Sequence, residues 1–340
     1  MNQNKSRIKE ALNHGCLTEN KHGEALDTSD ADTTDPPVLI GEMLPQIIQR
    51  IGGYEAAGGI IGIPTGFTVL DTMTGGFQGG DLIIIGGHPS MGKTSLCMSM
   101  ALNAATKAKC PTAFFSLEAT DERTCEQILC MEAKIDLRIL QGNMLPKRDY
   151  PKLERAADIL KKAPLYLSGS AGIPLKDIED KIRYFKAHNN IKFVLIDYLQ
   201  LIDINTEKET IPDIPQIIRS LKKLALELDI PIIVVSQLLR ENKQRVDHRP
   251  RLFDLPGDGY IEQIADIVIF VYRDELYNKN EDNKGEIELI VAKHRNGPVG
   301  TMEAAFFRDY RRVADISEMA NMPGYSDDSY ITILNKKNNK

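Results

Sequence analysis

Cysteine is scarce and unpatterned in this chain of 340 residues. Cys16, Cys97, Cys110, Cys125 and Cys130 form no Cys-x-x-Cys pair, and no histidines stand at finger-like spacing. That argues against a zinc site and for free thiols in a reducing cytosol. No apolar run approaches the roughly 20 residues of a bilayer-spanning helix, and the polar start Met1 to Ser6 carries no secretory signal. A cytoplasmic chain without membrane contact is expected. Basic excess is also missing: the net charge is −6. This speaks against a protein that coats nucleic acid over its whole surface, though not against a local basic channel. One such window is present, Arg240 to Arg251, where Arg240, Lys243, Arg245, Arg249 and Arg251 face only Glu241 and Asp247, a local charge of +3.

The positive signal is a loop. Gly87-His88-Pro89-Ser90-Met91-Gly92-Lys93-Thr94 has two glycines with four residues between them, followed by Lys and Thr. Backbone amides of such a loop, at the positive end of a following helix, wrap a nucleotide's phosphates. Lys93 would reach the β- and γ-phosphates of ATP, and Thr94 would place its hydroxyl on Mg2+. The flanks agree, with Asp81–Gly86 reading as a buried strand and Ser95–Lys107 as a helix.

Residues 1–37 read as a disordered polar and acidic tail, and residues 326–340 as a loose C-terminal tail. Between them, residues 38–56 read as a short linker helix. Leu44, Ile47, Ile48 and Ile51 form its apolar stripe, Pro45 suits a first turn, and Gly52-Gly53 stops the pattern. The stripe must bury itself on its own domain or on a neighbouring subunit. From residue 57 to 325, apolar runs alternate with amphipathic patterns. Strands are expected at Leu82–Gly86, Thr112–Leu117, Leu165–Ser168, Lys192–Asp197, Ile232–Ser236 and Ile267–Tyr272. This is the pattern of an α/β fold with a mostly parallel sheet covered by helices. Glu286–Lys293 and Thr301–Phe307 read as an added C-terminal β-hairpin.

Two of these strands end in acids. Asp197, after Phe193–Ile196, suits a second Mg2+ contact at the carboxyl edge of a parallel sheet, or a plain turn cap. Glu118, after Ala113–Leu117, suits a general base acting on water, or an acid opening the next helix. Gln237 ends a further strand with an amide that can sense a γ-phosphate or simply cap a turn. Lys293 and Arg295, two apart on a strand, face one side and can meet one anion or sit on an exposed hairpin tip.

Together these segments resemble the C-terminal motor domain of replicative DNA helicases of the DnaB type, hexameric ATPases with a RecA-like core. The resemblance runs from about Gly62 to Ala314. It rests on Gly62–Phe67 with Leu70-Asp71 and Thr74–Gly76, the phosphate loop, Phe115–Glu118, Ile196–Leu201 and Ser236–Leu238. It continues through Ile261–Gln263 with Ala265-Asp266, Tyr272–Glu275 and Lys293–Gly297. By resemblance Glu118 is the catalytic acid, Asp197 the magnesium-linked carboxylate and Gln237 the γ-phosphate sensor. Lys293 and Arg295 match a basic pair that reaches into the next subunit's ATP site, and residues 38–54 lie where the family has a helix docking on its neighbour. The resemblance implies a homo-hexamer translocating 5′–3′ on single-stranded DNA during replication. DNA contacts would come from Arg240, Lys243, Arg245, Arg249, Gly257 and Gly259, and a helicase loader, primase or host helicase would be further partners. Two departures stand out. The family's N-terminal collar domain finds no room here, and Pro256-Gly257 replaces the usual Arg-Glu of the DNA loop. A DnaB-like ATPase that modulates a helicase ring without unwinding, or another RecA-like ATPase, are the alternatives.

Overall fold

The computed structural model describes residues 17–19, 25–27, 38–56, 60–142, 144–169, 172–203, 213–238, 245–278 and 284–321. They fall into two units, Met1–Ala56 and Ala57–Lys340. Arg240 and Lys243 lie outside the described residues, as do residues 326–340 and most of 1–37.

In the first unit, β1 (Leu17–Glu19) and β2 (Ala25–Asp27) pair antiparallel. Helix α1 (Ile40–Ala56) follows, with Pro45 inside it. Pro45, expected in the first turn, is the sixth residue of the helix and lies in its second turn, and the helix carries on through Gly52-Gly53. Proline removes one amide donor here and glycine weakens helix propensity, but neither ends the helix. On the apolar stripe Leu44 and Ile48 are exposed within the single chain.

The second unit is one mixed sheet. Its elements in chain order are α2 (Thr68–Thr74), β3 (Leu82–Gly87), α3 (Lys93–Thr106), β4 (Thr112–Ser116), α4 (Asp121–Ala133), α5 (Leu137–Gln141) and α6 (Tyr150–Leu160). Next come β5 (Leu165–Gly169), α7 (Leu175–Asn189), β6 (Phe193–Asp197), α8 (Ile214–Leu228), β7 (Ile232–Gln237), α9 (Tyr260–Ile264) and β8 (Ile267–Tyr272). Strands β9 (Glu286–His294), β10 (Gly300–Phe307) and β11 (Arg312–Ala314) complete it, and the spatial order is β11-β10-β9-β8-β3-β7-β6-β4-β5. The six strands from β8 to β5 are parallel, and β9, β10 and β11 continue the sheet antiparallel. The expected hairpin is β9 with β10, and β9 joins it to the main sheet by pairing with β8.

Strand β3 shows why the parallel strands read as unbroken apolar runs. Ile83 and Ile85 pack with Leu96, Met100 and Phe114 on one face, while Leu82 and Ile84 pack with Ile217, Leu221 and Val268 on the other. Both faces are covered, so no position is left for a polar residue. Helix α8 buries Ile217, Ile218, Leu221, Leu224 and Ala225, the face its 3.6-residue period predicts. The Gly62–Asp71 motif is structural. Asp71 accepts from the Thr65 amide and hydroxyl, both at 2.7 Å, and from the Gly66 amide at 3.0 Å.

Candidate active site

Parallel register brings the singled-out residues together at the carboxyl edge of the sheet. Gly87 stands opposite Gln237 on β7, and Ser116 opposite Asp197 on β6. The phosphate loop leaves β3 with Ser90 at φ 65° and Gly92 at φ 99°, a left-handed turn that aims the N-terminus of α3 into the cleft. A side chain at Gly92 would be strained in that conformation. Pro89, Ser90, Gly92, Lys93, Thr94, Glu118, Asp197 and Gln237 all line one cleft of about 590 Å3. Gly87, His88 and Met91 are buried behind it.

In the cleft Lys93 lies under the field of two carboxylates, Asp197 and Glu118. Lys93 donates to the His88 carbonyl at 2.8 Å. Burial pushes its ammonium down to about 8, against the pull of Asp197 and Glu118. Burial likewise raises Asp197 to about 6; the Thr94 hydroxyl opposes this, Glu118 adds to it and Lys93 opposes it. Asp197 is 3% exposed, and its Oδ1 has no hydrogen-bond partner. A buried carboxylate oxygen normally has a partner. One left bare beside a threonine hydroxyl is a set of hard oxygen donors that fits Mg2+. Glu118 is exposed in the cleft. Gln237 is held from behind: Gln200 Oε1 accepts from its amide at 3.2 Å, and Gln200 Nε2 donates to its carbonyl at 2.8 Å.

Lys293 and Arg295 do not join this cleft. Lys293 pairs with Val268, which stands opposite Ile84 on β3. The Arg295 amide donates to the Asp266 carbonyl at 2.8 Å, at the level of Leu82. At the rise of a strand, those levels lie ~10 and ~16 Å below Gly87 along the sheet. Lys293 Nζ caps the end of α9 through the Glu262, Gln263 and Ala265 carbonyls. Arg295 reaches the same Gln263 carbonyl and lies 3.4 Å from Asp266. The two were expected on one strand, but β9 ends at His294 and Arg295 lies in the turn beyond it.

Of the described residues expected to contact DNA, Arg245 pairs with both oxygens of Asp254 at 2.8 and 3.2 Å. Arg249 does the same with Glu288 at 2.6 and 2.8 Å. Gly257 and Gly259 adopt φ 85° and 84°. A Cβ on Gly257 would come within 2.9 Å of Ile214, whereas at Gly259 nothing lies within 4 Å.

Sequence reasoning missed Arg273, Arg308, Arg311 and Phe306, which line the same cleft. Arg273 stood within a recognised motif, but nothing in the sequence marked it as facing the phosphate loop.

Residues 62–315 match the family model described as DnaB-like helicase C terminal domain. The chain is 44% identical over 265 residues to the replicative DNA helicase DnaB of Geobacillus stearothermophilus, covering 77% of this chain and 58% of that protein. It therefore spans less than two thirds of that relative. Among solved structures, one described as an ATPase domain superposes with TM-score 0.76 at 35% identity, covering 82% of this chain and 99% of that one. A DnaB-like replicative helicase described with its primase interactions superposes with TM-score 0.73, also at 35% identity, covering 84% and 68%.

Proposed function

The chain belongs to the family of DnaB-like helicase C-terminal domains, and from that premise we propose that it is the ATP-driven motor of a ring-forming replicative DNA helicase, moving 5′–3′ on single-stranded DNA. One observation carries the reading. Lys93, Thr94, Glu118, Asp197 and Gln237 share a cleft, while Lys293 and Arg295 stand ~10 and ~16 Å away down the sheet. A basic pair placed outside its own chain's cleft supports its serving the nucleotide of a neighbouring copy in a homo-oligomer, a hexamer by its family.

Within the cleft Lys93 and the α3 N-terminus bind the ATP phosphates, and Thr94 with Asp197 would hold Mg2+. Bound there, the ion screens the polyphosphate charge and favours its displacement. Glu118 orients and deprotonates the attacking water. Gln237 reads the γ-phosphate, and its clamp by Gln200 passes a shift on to the segment after β7. Arg295 from the neighbour supplies positive charge to the transferring phosphoryl group. A helicase loader, a primase or a host helicase would be further partners of the ring.

A second reading has its own support. Arg245 and Arg249 are neutralised by Asp254 and Glu288, and Pro256-Gly257 brings no charge to the DNA loop. A DnaB-like ATPase that joins or modulates a helicase ring without unwinding fits those features. Measuring ATP hydrolysis with and without single-stranded DNA, beside strand displacement on a forked substrate, separates the two. Stimulated hydrolysis with displacement is expected. Hydrolysis without displacement selects the second reading, and hydrolysis indifferent to DNA sinks the motor.

A further inference from the structure

Three arginines besides Lys93 line the nucleotide cleft, and two are already engaged. Arg273 donates to the Ser90 carbonyl at 3.2 Å, lies 4.2 Å from the Phe306 ring centre and pairs with Glu275. Arg308 approaches the same Glu275 at 3.5 Å. The third, Arg311, makes no side-chain hydrogen bond or ion pair with any described residue.

Its backbone is unusual as well. Arg311 sits at φ 51°, a region disfavoured for long side chains and concentrated at functional sites. The β10–β11 turn that holds it is anchored at Asp309 within the turn and at Val313 on the β11 strand that follows. The Val313 amide donates to Ser99 of α3 at 3.0 Å, and the Leu137 amide at the start of α5 donates to the Asp309 carbonyl at 3.3 Å. The turn thus lies against the helix that opens at the phosphate loop.

Position then identifies a ligand. A second cleft of about 700 Å3 adjoins the first, and the two share Thr94, Ser95, Glu118, Asp197 and Arg311. Arg311 is the one cation of those five. An unpaired guanidinium at the junction of two clefts, beside the magnesium-binding pair and the catalytic acid, lacks only an anion.

We propose that Arg311 is a nucleotide-positioning residue acting within its own subunit, its guanidinium binding the polyphosphate held by Lys93 and Thr94. The proposal rests on the nucleotide reading above. A planar guanidinium grips phosphate oxygens in pairs, adding the charge that Lys93 alone must otherwise supply opposite two carboxylates. It also divides the labour. Binding draws on Arg311 of the same chain, whereas turnover draws on Arg295 of the next.

Asparagine tolerates the left-handed region better than arginine, so Arg311→Asn keeps the turn while removing the charge. Titrating a fluorescent ATP analogue into the full chain should show affinity falling about 10- to 100-fold, with no loss of thermal stability. Arg311→Lys should fall between parent and asparagine variant, and a fluorescent AMP analogue should lose much less than the ATP analogue. Parent-like ATP affinity in Arg311→Asn, or an equal loss for both analogues, overturns the proposal. Lys93→Ala serves as the reference. Undiminished binding in that variant would instead sink the nucleotide reading itself.

Discussion

The backbone amide of Leu117 donates to the carbonyl of Asp197 across 2.7 Å. This bond staples the end of β4 to the end of β6 one residue before Glu118, so both acids are delivered to the cleft by the rigid edge of a sheet. A site built on strand ends holds its geometry better than one built on loops, and Asp197 has no freedom to swing out towards water.

That confinement has a cost which pH can read. Burial holds Asp197 at about 6 against an ordinary 3.8. Between those values the nucleotide-free folded chain binds more protons at this carboxyl than the unfolded chain does. Stability therefore falls as pH rises through that window, by about 2–3 kcal/mol at most. Asp197→Asn should abolish turnover, remove this slope and raise the melting temperature at neutral pH by a few degrees. Thermal melts of both forms, without nucleotide, provide the check; parallel pH profiles would contradict it.

Mixing two dead subunits tests the shared site. Lys93→Ala disables a chain's own cleft, and Arg295→Ala disables what it lends to its neighbour. Each variant alone should hydrolyse ATP at background rates, with Arg295→Ala still binding nucleotide. In randomly mixed rings roughly a quarter of the interfaces join an intact cleft to an intact arginine. Hydrolysis should recover in the mixture, and failure to recover removes the assignment of Arg295 to the neighbour.

Arg245 and Asp254 are both mostly buried and doubly bonded to each other. Removing either leaves its partner's charge stranded, so Arg245→Ala should cost about 1–3 kcal/mol of stability. The salt dependence of single-stranded DNA binding should keep its slope. A slope reduced by about one unit would place Arg245 on a phosphate instead.

Much of this arrangement was legible in the chain because buried parallel strands admit only apolar residues. The runs ending at Asp197 and Gln237, and the run leading into Glu118, announced both their strands and the edge where they emerge. Lys293 and Arg295 were readable as a basic pair two positions apart, but that only Lys293 lies on β9, and that β9 runs antiparallel to β8, spacing alone does not encode. Arg245 and Arg249 looked like free basic residues because Asp254 and Glu288, which neutralise them, lie 9 and 39 positions away. Arg311 was silent for a related reason. Only the return of β10 and β11 onto α3 carries a residue so late in the chain back to the nucleotide loop.

Strand β8 joins two places that chemistry keeps apart. Its carboxyl end leads into Arg273, which touches the Ser90 carbonyl, and its amino end pairs with Lys293 and His294. All six of its residues are buried and it is paired on both edges, with β3 and with β9. If the basic pair serves the next copy, as proposed, a displacement at one end of β8 would be felt at the other within the adjacent site. In the ring proposed above, that one strand would couple each copy's nucleotide cleft to its neighbour's.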